Sequence, residues 1–177
     1  DDVVNDFVLT ENISGVDALD LNEREISDLT GIEAFTALTG LNCDSNQLTA
    51  LDISANTALD TLYCSSNQLT TLDVSANTTL KYLSCNSNQL TVLDVSANTA
   101  LEYLSVSDNE LTSLDVSANT ALTTLYCSVN QLTYLNMSNG ITDALTTFDA
   151  TDNTLTCIEV NEEDVDWTTE NWTYENG

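Results

Sequence analysis

A 21-residue period runs through the middle of the chain without slippage. Leu38 to Ala58 reads LTGLNCDSNQLTALDISANTA, and Leu59 to Thr79 reads LDTLYCSSNQLTTLDVSANTT. Leu80 to Ala100 (LKYLSCNSNQLTVLDVSANTA) and Leu101 to Ala121 (LEYLSVSDNELTSLDVSANTA) follow. A fixed period of this size marks a solenoid. One unit cannot bury its apolar face alone, and stacked units bury a continuous core. Leu122 to Ala144 is a stretched copy of 23 residues, with Asn139-Gly140 at a looser turn, and Leu145 to Val160 is a last copy. Ahead of the regular units, Val16 to Ala37 is a degenerate copy. Val16, Leu19, Leu21, Ile26 and Leu29 fall where later units place Leu or Cys, and Gly31 to Phe35 predicts a short helical turn. The expected organisation is one domain over residues 1–177: an N-terminal cap and degenerate repeat at 1–37, repeats at 38–160, and a C-terminal cap at 161–177. Trp167, Trp172 and Tyr174 would cover the last coil. Ten of the 29 acidic residues lie in 1–37 and nine in 146–177, which suits the polar outer faces that end caps need.

Within a unit the spacing LxxLx(C/V)xxNxL predicts a strand near Thr61 to Ser65, followed by a turn at Asn67. Side chains alternate along a strand, so Leu62 and Cys64 point inward while Thr61, Tyr63 and Ser65 point out. The amide of Asn67 can both donate to and accept from backbone groups, which predicts a stacked ladder of Asn46, Asn67, Asn88, Asn109, Asn130 and Asn153. Leu69 to Asn77 repeats the spacing of Leu59 to Asn67. The opposite side of the coil is therefore also expected to be extended, with short strands around Leu72 to Val74. The fold class that follows is a mostly β solenoid, with parallel strands on its concave face and short extended segments on its convex face. Thr, Val and Tyr favour strands, and the absence of Pro leaves every ladder donor available.

These units carry the leucine-rich-repeat pattern. The string LxxLxCSxNQLTxLDVSANTA resembles the bacterial cysteine-ladder leucine-rich repeats of the internalin J type. It is closest in pattern to secreted and surface leucine-rich-repeat proteins of Bacteroidetes. The resemblance spans about Val16 to Trp172, with SDLTGIEAFTALTGLNC as the entry and LTCIEV with Trp167 and Asn171-Trp172 as the exit. It implies a secreted or cell-surface, non-catalytic adhesion or recognition module. Where internalin J-like units have Cys, this chain has Val106 and Ala150, so the ladder is interrupted.

The charge is extreme: 29 Asp and Glu against Arg24 and Lys81, a net charge of −27. Nucleic acid and anionic membrane surfaces would repel such a chain, and screening salt should steady it. No run is long and apolar enough to cross a membrane. The chain opens abruptly at Asp1-Asp2-Val3 without a signal peptide, as a mature or trimmed piece would.

Two columns carry chemical possibilities. Cys43, Cys64, Cys85 and Cys127 fill one inward column. Thiols stacked about 4.8 Å apart along an axis suit packing better than metal ligation or a disulfide. Cys157 aligns instead with the outward Thr71 and Ser113. On the convex side, Asp52, Asp73, Asp94 and Asp115 form one column, read as solvated acids or caps of neighbouring backbone. A tight calcium site needs six to eight oxygens from a shaped loop, so at most weak Ca2+ association is expected, and no cofactor.

The concave face is the expected ligand surface. Its candidate residues are Tyr63, Tyr82, Tyr103, Tyr126, Asn86 and Asp149. Exposed tyrosines among Ser, Asn and Thr offer flat apolar faces with polar tips, suited to a protein or a polysaccharide. The rival explanation is that Tyr simply favours strands and packs across them.

Enzyme chemistry has little support. The chain has no His and no Gly-rich phosphate loop, and nothing marks a carboxylate pair set in a cleft. A single outward Thr ladder (Thr49, Thr70, Thr91, Thr112, Thr133) is narrow for ordering ice. The expectation is a monomeric, non-enzymatic binding or adhesion module of a secreted or surface protein. Its rivals are a spacer without a ligand and a carbohydrate-binding accessory module of a larger enzyme.

Overall fold

Each coil lays one short strand on the concave side, and the strands of successive coils pair in parallel. The computed structural model describes residues 13–140 and 145–162. Residues 1–12 of the expected N-terminal cap, and Trp167, Trp172 and Tyr174 of the expected C-terminal cap, lie outside those residues. In chain order the strands are β1 (Ala18–Asp20), β2 (Gly40–Asn42), β3 (Thr61–Tyr63), β4 (Tyr82–Ser84), β5 (Tyr103–Ser105), β6 (Ser113–Asp115), β7 (Thr124–Tyr126), β8 (Tyr134–Asn136), β9 (Thr147–Asp149) and β10 (Cys157–Glu159). The order β1-β2-β3-β4-β5-β7-β9 forms the concave sheet, one strand per coil over seven coils. The architecture is the mostly β leucine-rich-repeat solenoid. A 3₁₀ turn, Ile32–Ala34, occupies the position where the sequence predicts helical geometry.

Register follows from the period. Leu41, Leu62, Leu83, Leu104, Leu125 and Phe148 face one another across the sheet, and the five leucines are at most 1% exposed. Leu59, Leu80, Leu101 and Leu122 fill a second fully buried column, and Leu48, Leu69, Leu90, Leu111 and Leu132 a third. Burying each such side chain stabilises the fold by roughly 1.5–3 kcal/mol relative to exposure. In the degenerate first coil, Val16, Leu19, Leu21, Ile26 and Leu29 are only partly buried.

The strands are three residues long, shorter than the expected Thr61 to Ser65. Pairing nevertheless runs on, with the Cys64 N–H donating to Ser84 O (2.9 Å) and the Ser66 N–H to Asn86 O (2.8 Å). Extended geometry ends at the residue before each ladder Asn. Ser45, Ser66, Ser87, Asp108, Val129 and Asp152 all adopt left-handed φ, between 51° and 56°, and this turns the chain into the Asn.

The Asn ladder forms as the sequence predicts. The Asn67 Nδ2 donates to Cys43 O of the preceding coil (3.0 Å), to Cys64 O and to Ser65 O, and its Oδ1 accepts the Leu48 N–H (3.0 Å). Asn88 and Asn109 repeat all four bonds one and two coils on.

The convex side departs from expectation. Among the described residues, regular strands appear there only in the last three coils, as β6, β8 and β10, and Leu72 to Val74 is not one of them. The change coincides with a change of residue. Asp52, Asp73, Asp94 and Asp115 repeat down the convex column, and like charges placed directly opposite destabilise strand pairing. Pairing begins at Asp115↔Asn136, where the Asn136 Nδ2 donates to Asp115 Oδ2 at 3.2 Å.

Val129 is the misfit in the left-handed column. It is the β-branched residue there, where the other coils use Ser or Asp, and left-handed geometry crowds a Cβ branch. Val129→Asn should therefore raise stability by about 1 kcal/mol, read as a higher midpoint in urea unfolding. An unchanged or lower midpoint would show that the position carries no strain.

Candidate functional site

The concave sheet presents two outward columns whose register is fixed by strand pairing. One runs Gly40, Thr61, Tyr82, Tyr103, Thr124, Thr147, and the other Asn42, Tyr63, Ser84, Ser105, Tyr126, Asp149. The four candidate tyrosines thus fall on one face, in four consecutive coils. Three of them form a contiguous arc. The Tyr82 and Tyr103 rings lie 6.4 Å apart, tilted by 33°, and the Tyr103 and Tyr126 rings 6.0 Å apart, tilted by 58°. Tyr63 stands on the other side and makes no ring contact among the described residues. Tyr82 is 40% exposed, while Tyr63, Tyr103 and Tyr126 are half-buried. Cross-strand packing therefore takes up part of the rings, and the remainder faces solvent. Ser84 and Ser105, both buried, sit between Tyr63 and Tyr126 in their column. The Tyr82 hydroxyl donates to Glu102 Oε2 at 3.5 Å.

A third outward column is a polar relay. The carboxylate of Asp44 accepts the Ser65 N–H, and Ser65 Oγ accepts the Asn86 N–H (3.2 Å). Asn86 Oδ1 in turn accepts the Ser105 hydroxyl (2.8 Å) and the Ser107 N–H (2.9 Å). Asn86 is thus largely committed to holding its neighbours, and its Nδ2 reaches only Ser84 Oγ, at 3.4 Å. Asp149 ends the second column. Its Oδ1 accepts the Thr151 N–H (3.0 Å) and the Thr151 hydroxyl (2.7 Å). Partial burial raises the Asp149 pKa, but these bonds and one from Ser128 outweigh it and hold the carboxyl below its ordinary value. Asp44 goes the other way: burial raises its pKa more than the Ser65 bonds lower it.

The cysteines behave as core. Cys43, Cys64, Cys85 and Cys127 are buried and unbridged, and Val106 and Ala150 share their inward strand position, also buried. The Cys43 thiol donates to Tyr63 O (3.4 Å) and the Cys64 thiol to Ser84 O (3.5 Å). Burial pushes the pKa of Cys43 and of Cys85 up to about 12 and raises Cys64 and Cys127 as well. Such thiols stay neutral and unreactive at physiological pH. Cys157 is exposed on β10, in register with Tyr134 and Ser113.

The convex acids cap their own backbone. Asp52 Oδ1 accepts the Ser54 hydroxyl (2.7 Å) and N–H (3.0 Å), and Asp73 and Asp94 accept the N–H of Ser75 and of Ser96, each at 2.9 Å. These serine bonds hold all three carboxyls below their ordinary pKa. Among the described residues, no group of three or more Cys, Asp or Glu is arranged to hold a metal ion. An apolar cavity of about 540 Å³ opens at the first coil, lined by Leu19, Leu21, Ile26, Leu29 and Phe35.

A second stitch goes unnoticed in a reading centred on Asn67. Asn56, Asn77, Asn98, Asn119 and Asn139 form another buried ladder. The Asn77 Nδ2 donates to Ile53 O (3.1 Å) and to Asn56 O (2.9 Å), and Asn98 and Asn119 repeat the pattern. The signal lay in the half-repeat itself, since Asn77 follows Leu69 at the spacing with which Asn67 follows Leu59.

Comparison with known proteins places this geometry. The chain matches no protein-family model. A 49-residue stretch, 28% of the chain, is 44% identical to internalin J of Listeria monocytogenes and covers 5% of that protein. The functional domain of InlJ from L. monocytogenes, whose structure includes a cysteine ladder, superposes with a TM-score of 0.70 at 38% identity. The match covers 85% of this chain and 42% of that one. A leucine-rich-repeat protein of Leptospira interrogans matches with a TM-score of 0.62 at 28% identity, over 72% of this chain and 35% of that one. The chain therefore spans under half the length of these relatives. It is a leucine-rich-repeat solenoid with a cysteine ladder, similar to that of InlJ.

The thiol column sets a pH dependence. A thiol in the unfolded chain ionises near pH ~8.5, whereas the buried thiols ionise only at higher pH. Their contribution to stability is therefore complete below about pH 8.5 and is lost as pH rises toward 12. Urea midpoints should fall between pH 8 and pH 11, and less steeply in a variant with Cys43, Cys64, Cys85 and Cys127 all changed to Val. At pH 8 a thiol reagent should label Cys157 alone. Rapid labelling of the other four in the native state would contradict their burial.

Proposed function

Starting from an internalin-like solenoid whose concave sheet carries an uncovered aromatic arc, we propose that the chain is a non-enzymatic binding or adhesion module. It belongs to a secreted or cell-surface bacterial protein and engages a protein or glycan partner through the concave face. The observation that carries this reading is the Tyr82–Tyr103–Tyr126 arc. Three adjacent coils place tyrosines at ring-contact distance on the concave face, among positions rich in Ser, Thr and Asn. Clustered aromatics with low side-chain entropy are the usual anchors of recognition surfaces.

Internalin-type relatives support both the binding role and the surface location. The regular frame fits the same reading, because differences between coils concentrate on outward positions of the concave strands. Tyr63 and Asp149 extend the surface to either side of the arc, and Asn86 holds its polar edge. The reading calls for no cofactor.

A glycan and surface-protein array, probed with and without calcium, should return a ligand. Tyr82→Ala combined with Tyr103→Ala should abolish its signal, and the thermal midpoint should stay within a few degrees of the parent. Binding that survives the double change would overturn the concave-face reading. An array with no ligand at all would favour a spacer.

A further inference from the structure

The arc does not stand on a neutral face. Asp20 and Asp44 lie on its N-terminal side. Asp60 and Glu102 occupy the position just ahead of β3 and β5, and Asp149 and Asp152 lie on its C-terminal side. Lys81, just ahead of β4 and between Asp60 and Glu102 in coil order, is the one cation of this face among the described residues. Arg24 sits in the turn of the first coil.

Resting on the reading above, we propose that the occupant of the concave face is an extended, Lys- or Arg-bearing protein segment. Its cationic side chains pack over the Tyr82, Tyr103 and Tyr126 rings and reach the flanking carboxylates. Two independent features point to this chemistry. The face of an aromatic ring attracts cations, and guanidinium groups in particular stack on it. The carboxylates just ahead of the strands also keep acceptor capacity: Glu102 accepts only from the Tyr82 hydroxyl, at 3.5 Å, and Asp60 only from the Thr61 hydroxyl, at 2.8 Å.

The convex Asp column lacks the rings. Its carboxylates accept the N–H of the serine two residues on, and no ring contact accompanies them among the described residues. Acidity and aromatic faces thus meet on the concave side and not on the convex one. From β1 to β9 the sheet spans six strand spacings, roughly 29 Å, which an extended segment of about nine residues would cover. A sulfated or sialylated glycan would meet carboxylates on every side of the arc and a single cation, and like-charge juxtaposition opposes such a complex.

The test uses the full chain in 150 mM salt and three labelled probes: a nine-residue peptide of alternating Arg and Ser, a sulfated hexasaccharide, and a neutral hexasaccharide. The peptide should bind and the sulfated sugar should not. Tyr82→Ala with Tyr103→Ala, and separately Asp60→Asn with Glu102→Gln, should each weaken peptide binding about tenfold. The convex control, Asp73→Asn with Asp94→Asn, should change it less than twofold. Unfolding midpoints of all variants check that each is folded. Equal losses from concave and convex changes would reduce the effect to attraction by a polyanion and overturn the proposal. A sugar held through Tyr82 and Tyr103, with no peptide binding, would overturn it while leaving the concave face as the binding surface. Peptide binding indifferent to the tyrosine change would overturn the proposal, and a sugar bound just as indifferently would count against the concave face itself.

Discussion

The structure depends on side-chain amides that tie each coil to the one before it. Where a coil turns out of its concave strand, backbone carbonyls and amides face inward without strand partners. A single Asn per coil satisfies four of them, and some of those belong to the neighbouring coil. Asn67 joins Cys43 O and the Leu48 N–H of one coil to Cys64 O and Ser65 O of its own. Hydrogen bonds that cross between coils fix their relative register, and this keeps leucines and cysteines in columns. The second ladder does the same on the opposite side at a visible cost. Asn56, Asn77, Asn98 and Asn119 are fully buried, and their Oδ1 atoms accept no hydrogen bond. Two donated bonds per amide offset part of the penalty that a buried unsatisfied oxygen carries.

Register that is fixed from within leaves the outward positions free to differ, and function is read there. Inward columns admit only packing substitutions, Cys to Val106 or Ala150, whereas the outward column through Tyr82 runs from Gly40 through Thr and Tyr. Convex strands are rare for a different reason. The second ladder ties the convex side only at the turns after the Asp column; the Asp-on-Asp column opposes strand pairing, which begins where Asn136 replaces the charge.

Much of the fold was legible in the sequence because its causes are periodic. The 21-residue period gave the coil count, the alternation of Leu62, Tyr63 and Cys64 gave the facing of the strand, and Asn67 gave the ladder. What escaped depends on differences between copies or on geometry that composition does not encode. The left-handed residue before each ladder Asn is Ser, Asp or Val, so no glycine announces it. Tyr63 and Tyr126 look equivalent in the repeat, yet only Tyr126 reaches another ring. Asn86 looked like an exposed contact residue, but its oxygen is taken by Ser105 and Ser107.

The amides of Leu48, Leu69, Leu90, Leu111 and Leu132 isolate the central stitch, because each donates to the Asn Oδ1 of the next coil rather than to a strand. Native-state hydrogen exchange can follow them one by one. If the asparagine ladder holds the coils together, these amides exchange as slowly as the strand amides of Leu62, Leu83 and Leu104, through a single cooperative opening. Exchange at these five amides orders of magnitude faster than in the strands would show that the stack is held by the apolar core alone.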